Sequence, residues 1–157
     1  MTFSVTKSYL STVAGLAYQK GLLRLDEKLK DYIKDGKFSS EHNKKITWHH
    51  LLNQSSQWKG NLFGTFDWAD RPPRNLSIEE LKAQEIPGPG EAYKYNDVRV
   101  NLLSFSLLNV FEESLPEILK REIMDPIGAS SSWNWYGYEK SKILLNGVIF
   151  GSVSGGG

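Results

Sequence analysis

Ser4 and Lys7 stand three residues apart in Phe3-Ser4-Val5-Thr6-Lys7. In the first turn of a helix, side chains at that spacing are neighbours on one face. A hydroxyl held beside an amine is a nucleophile beside a base. The helix N-terminus adds free backbone N–H groups and positive potential, which suit a developing oxyanion. The spacing alone is a hypothesis, because Ser-x-x-Lys arises by chance in roughly every second chain of this size. A capping serine with a solvated lysine one turn on accounts for the four residues taken alone. A second candidate is His49-His50. Adjacent positions on a helix point apart, and no cysteine or carboxylate stands at ligand spacing, so ordinary helix histidines and no metal are expected.

The elements that must position Ser4 and Lys7 follow from periodicity. Leu10, Val13, Ala14, Leu16 and Ala17 predict a core helix over residues 8–23, with Gly21 as its stop. Asp26 is the expected N-cap of a short helix through Leu29, Tyr32 and Ile33. Thr47 is expected to cap another over residues 48–53. Residues 55–75 show neither helix nor strand period and read as a long loop. Its aromatics Trp58, Phe63, Phe66 and Trp68 argue that it is partly ordered. Ser77-Ile78-Glu79-Glu80 is a capping box for a helix to about Gln84. Tyr93 to Asp97 opens a second strong helix, with Val98, Leu102, Leu103, Phe105 and Leu108 on its apolar face. A further helix spans residues 115–124. Trp133, Trp135, Tyr136 and Tyr138 read as a packed aromatic corner. Asn146-Gly147, between two β-prone runs, predicts a hairpin over residues 142–150. No other strand is expected.

Composition bounds the class. The 157 residues form one domain, 1–157, long enough to bury a core. A net charge of +1 gives no global bias toward nucleic acid or an anionic membrane. There is no cysteine, so disulfide and thiolate chemistry are excluded. No apolar run reaches the length of a membrane span, and three residues before Ser4 cannot hold a signal peptide.

Taken together, these stretches resemble the serine β-lactamase and penicillin-binding-protein-like superfamily, most of all class C β-lactamase-related esterases and amide hydrolases. The resemblance is carried by Phe3-Ser-Val-Thr-Lys7-Ser8, by residues 15–26, by Ile46-Thr47 through Ser56, by Pro87 through Asp97, by Pro126-Ile-Gly-Ala129 and by residues 133–138. It spans nearly the whole chain, in family order. It implies that Ser4 and Lys7 are the Ser-x-x-Lys pair. It also implies that Tyr95-Asn96-Asp97 is the second motif, Tyr-x-Asn, with Asp97 where asparagine is common. Tyr-x-Asp resembles a variant of the esterase-like members. The third motif, a strand with Lys-Thr-Gly or His/Trp-x-Gly, has no counterpart in the sequence.

The implied activity is acyl transfer from a small-molecule ester or amide, with no cofactor. Ser4 attacks, Lys7 and Tyr95 accept and relay its proton, and Asp97 contacts substrate. The second oxyanion donor would come from the third-motif strand; losing one such donor costs on the order of 10²–10³ in rate. The implied fold is α+β and predominantly helical: the helical region of the β-lactamase/transpeptidase-like fold, with a C-terminal hairpin and most of the sheet missing. On this reading the chain is an internal fragment, impaired as a catalyst, with self-association expected through the open hairpin edge. Such relatives are often periplasmic or secreted; the compartment is left open. The alternatives are a catalytically silent structural fragment and a penicillin-binding module.

Overall fold

The structure, a computed structural model, describes residues 3–154. The Gly155-Gly156-Gly157 end lies outside the described residues. The helical spacing of Leu10, Val13, Ala14 and Ala17 produces α1, Thr6–Gln19, with these four side chains buried. A 3-10 turn, Phe3–Val5, leads directly into it. The helix stops at Gly21, whose φ of +71° is the left-handed conformation that glycine adopts most freely. Leu22 N–H then bonds to Ala17 O and Gly21 N–H to Tyr18 O, the pairing of a Schellman cap.

The expected cap at Asp26 is corrected. The helix α2, Leu29–Tyr32, begins three residues later, after Lys28. Residues 25–27 form a turn tied to the start of the next helix: Lys28 bridges Thr47, Trp48 N–H bonds to Glu27 O, and His49 N–H bonds to Leu25 O. This pairing delays the helix, a case of tertiary context overriding a local signal. Thr47 does cap α3, Trp48–Leu52, in a capping box with His50, whose Nδ1 accepts from Thr47 N–H. Ser77 and Glu80 form the same device at α4, Ile78–Ala83. Glu80 is held below the ordinary carboxylate range by the backbone and hydroxyl of Ser77.

Residues 55–75 hold more regular structure than their sequence predicts. A two-residue pair, β1 Asn61–Leu62 and β2 Thr65–Phe66, forms a small antiparallel ribbon, followed by a 3-10 turn at Asp67–Ala69. Strands this short leave no alternation to read. Trp58 is buried and donates its Nε1–H to Lys37 O (2.9 Å), which anchors the loop.

The centre of the molecule is α5, Asp97–Phe111, apolar nearly all round and therefore buried between other elements. It packs against α1, α3 and α6 (Leu115–Leu119). Helix α6 runs into one wider π turn, Lys120–Met124, rather than continuing as the single helix the periodicity predicts. Asp125 N–H bonds to Lys120 O, and the Lys120 ammonium pairs with the Asp125 carboxylate (2.7 Å).

The C-terminal hairpin pairs β3, Gly137–Leu145, with β4, Val148–Val153. Asn146 (φ +49°) and Gly147 (φ +81°) make its turn, with the two positive φ values of type I′. The hairpin leans on α5: Ser104 Oγ–H donates to Val153 O (2.8 Å), and Asn146 Nδ2–H donates to Glu112 (2.6 Å). Trp133 and Trp135 pack on the core, but Tyr136 and Tyr138 are exposed, so the aromatic corner is half formed. Leu10 and Val13 are fully buried, whereas Phe3 and Tyr9 are exposed. Among the described residues the fold is α+β, with six α-helices and two small antiparallel sheets. Among the described residues no helix is long and apolar enough to cross a membrane.

Candidate active site

Ser4 lies in the 3-10 turn that opens α1, and Lys7 follows in the first turn of the helix. Continuous right-handed backbone through Val5 puts the two side chains on one face. Lys7 Nζ–H donates to Ser4 Oγ at 3.1 Å. Tyr95 and Asp97 arrive from the other side, at the start of α5. Asn96, between them, caps that helix by accepting Arg99 N–H (3.0 Å), so its neighbours in sequence emerge from the helix N-terminus. The Tyr95 hydroxyl reaches Ser4 Oγ at 2.7 Å across 91 positions of sequence. Lys7 also pairs with Asp97 Oδ1 at 2.9 Å. The four residues singled out in the sequence are therefore one hydrogen-bonded cluster, half-buried and open to solvent at Ser4.

Two further charges complete it, and the sequence reading passed over both. Arg71 donates to Asp97 Oδ2 (2.6 Å) and to Asp70 (3.1 Å), and its guanidinium carbon lies 4.6 Å from the centre of the Tyr95 ring. Asp70 in turn accepts the N–H of Asp97 (2.7 Å). Lys7, Arg71, Asp70 and Asp97 thus balance two positive against two negative charges around Tyr95. The Tyr95 phenol is pushed below its ordinary range, first by the Lys7 hydrogen bond and then by that of Ser4, against the opposing effects of burial and the Asp97 charge.

A buried frame holds the second motif in place. Arg99 is almost wholly enclosed and donates to Trp58 O (3.1 Å), Gln57 Oε1 (3.1 Å) and the Asp67 carboxylate (3.2 Å). Asn96 Nδ2–H donates to Asp67 O and Gln57 Nε2–H to Ala92 O, both at 2.8 Å. Gln57 and Arg71 hold left-handed backbone, φ +47° and +50°. Non-glycine residues pay about 1–3 kcal/mol for such conformations, which persist where surrounding structure demands them. A lone arginine in the apolar run Val98-Arg99-Val100 was the available sign of this frame. No comparable sign marks Arg71, since nothing in Arg71-Pro72-Pro73-Arg74 encodes a positive φ.

A cleft of about 380 Å³ opens beside the cluster, between Leu62, Phe63, Val98 and Asn101 on one side and Tyr138 and Lys140 on the other. It touches the cluster through Asp70 and Asp97 and is not lined by Ser4. His49 and His50 lie away from it, and His50 is engaged in the α3 capping box. Among the described residues no group of three or more metal-ligating side chains converges.

The family model for beta-lactamase matches residues 1–141. The chain belongs to the β-lactamase family. That family is a superfamily of serine hydrolases, and solved structures share its fold with this chain. The octameric penicillin-binding protein homologue from Pyrococcus abyssi is 19% identical with a TM-score of 0.59, over 97% of this chain and 40% of its own. The β-lactamase/D-alanine carboxypeptidase from Yersinia pestis is 20% identical with a TM-score of 0.56, over 80% and 38%. The class C β-lactamase from Rhodobacter sphaeroides is 18% identical with a TM-score of 0.55, over 94% and 42%. The chain spans about two fifths of the length of these relatives. No curated protein matches it.

Proposed function

We propose that Ser4 is the nucleophile of a serine hydrolase that acts on an ester or amide through an acyl-enzyme, with Lys7 and Tyr95 as its proton-transfer groups. The observation that carries this reading is the Tyr95 hydroxyl at 2.7 Å and the Lys7 amine at 3.1 Å from one serine oxygen. Ser4 Oγ attacks the carbonyl carbon as its proton passes to Tyr95. The carbonyl C–O or C–N bond of the substrate then breaks, and the leaving group takes that proton. Water later attacks the acyl carbon and gives up a proton to Tyr95; the bond from that carbon to Ser4 Oγ breaks, releasing the acid, and Ser4 Oγ takes the proton back from Tyr95. Tyr95 suits the role of base because the Lys7 and Ser4 hydrogen bonds favour its ionised form. Lys7 stabilises that phenolate, and Asp97 fixes the Lys7 amine from its far side. Asp97 also faces the cleft, where it would meet the substrate.

The test is hydrolysis of a chromogenic ester such as p-nitrophenyl acetate, followed for a burst of product. A burst equal to the protein concentration that disappears in Ser4→Ala is expected. Unchanged hydrolysis in Ser4→Ala would remove Ser4 from the mechanism.

A second reading, association through the hairpin, rests on the exposed side chains of Leu144, Val148 and Ile149 at its tip. Sedimentation velocity distinguishes it: concentration-dependent growth of the sedimenting species supports association, and a monomer at all concentrations opposes it.

A further inference from the structure

We propose that Arg71 is a positioning residue of this site: it grips one oxygen of Asp97 and packs over the Tyr95 ring, leaving the other oxygen for Lys7 and the phenol for Ser4. The reading of Ser4 as nucleophile underlies the catalytic part of this proposal; the geometric part stands on its own.

Asp97 brings a full negative charge to a position beside the phenol. An unpaired carboxylate there would hold Tyr95 in its protonated form and could draw Lys7 away from Ser4. Arg71 answers both problems. Its N–H to Asp97 Oδ2 (2.6 Å) occupies the oxygen that Lys7 does not use, so the carboxylate is shared between two cations and its orientation is fixed. A planar guanidinium can do this while also holding Asp70 (3.1 Å) and lying 4.6 Å from the Tyr95 ring centre, a combination a lysine ammonium does not reproduce. Asp70 closes the arrangement by accepting Asp97 N–H, which ties the loop to the first turn of α5. Arg71 holds left-handed backbone, φ +50°, at the end of a loop whose Asp67 and Asp70 side chains are largely buried. The charged groups facing Tyr95 are thus Lys7 from α1, Asp97 from α5, and Arg71 with Asp70 from the loop before α4. The Asp97 hydrogen bond raises the proton affinity of Arg71, and the Tyr95 charge adds to it. A cation 4.6 Å from the ring centre, bonded to the carboxylate that opposes ionisation of the phenol, favours the phenolate.

The test uses Arg71→Gln, Arg71→Lys, Asp97→Asn and the Arg71→Gln/Asp97→Asn double variant of the full chain. The Tyr95 phenol is titrated by NMR with carbon-labelled tyrosine, its signal assigned by loss in Tyr95→Phe. Arg71→Gln is expected to shift the Tyr95 midpoint upward, Arg71→Lys to restore part of the shift, and Asp97→Asn to move the midpoint downward. In the Asp97→Asn background, the effect of Arg71→Gln is expected to shrink. Labelling of Ser4 by a fluorophosphonate near neutral pH is followed in the same variants and is expected to slow by about tenfold in Arg71→Gln, one pKa unit being worth one decade. An unchanged Tyr95 midpoint in Arg71→Gln, or a shift of the same size with and without Asp97, overturns the proposal. Wild-type protein that fails to label would instead sink the acyl-transfer reading, while the titration would still decide the role of Arg71.

Discussion

Two charged clusters branch from the first turn of α5, two residues apart, and they are built for opposite ends. Arg99 and its partner Asp67 are almost sealed from solvent, with side-chain exposures of 3% and 9%, and the guanidinium meets a carbonyl, an amide oxygen and a carboxylate. Burial works against the Arg99 charge, and Asp67 offsets this only in part. Asp97 and its partners are less deeply buried, with side-chain exposures of 23% for Asp97, 16% for Lys7 and 53% for Arg71, and they lie beside the exposed Ser4. The same residue types therefore give a buried frame whose guanidinium is bonded to three partners inside the protein, and a cluster where hydrogen bonds converge on one exposed serine oxygen. The two ion pairs differ in exposure rather than in residue type.

The comparison can be broken from either side. The largest effect is expected at Ser4: Ser4→Ala removes covalent labelling entirely and leaves the circular dichroism spectrum unchanged. Next comes Tyr95→Phe, which deletes the proposed proton acceptor and keeps the ring; labelling is expected to fall by about 10²–10⁴. Its pH dependence sharpens the point. Because the Tyr95 pKa lies below the ordinary tyrosine value of about 10, wild-type labelling should rise with pH through a midpoint below that value, and Tyr95→Phe should lose that rise. A pH profile unaltered by Tyr95→Phe would contradict the assignment of Tyr95 as base. In the frame, Asp67→Ala leaves Arg99 buried without its counter-charge and should cost about 3–5 kcal/mol of stability, read by urea denaturation. A loss under about 1 kcal/mol would show that the frame is not sealed as described. The smallest effect is expected at a site remote from both clusters: Ser77→Ala removes the α4 cap at a cost of about 1 kcal/mol, with labelling at the wild-type rate.

The sequence disclosed these two clusters unequally. Ser4 and Lys7 stand out because three-residue spacing on a helix is a local property. The hairpin is readable for the same reason, since Asn146-Gly147 encodes its own turn. Tyr95 and Asp97 enter only through resemblance to a family, because nothing local connects residue 95 to residue 4. Arg71 is invisible at that stage: its role depends on a left-handed backbone and on a partner in another element. The short ribbon β1–β2 is hidden because two residues cannot show a period. Asp26 misleads in the opposite direction, carrying the right side chain for a cap in a stretch that pairs with residues 46–49 instead.

The most direct measurement of the central claim is site mapping of a covalent serine adduct. The chain is incubated with a fluorophosphonate and digested, and the modified residue is identified by tandem mass spectrometry. One adduct per chain, located on Ser4 and absent in protein unfolded by urea, is the expected result. An adduct on a different serine of the folded chain, or none on Ser4 after prolonged incubation, would contradict it.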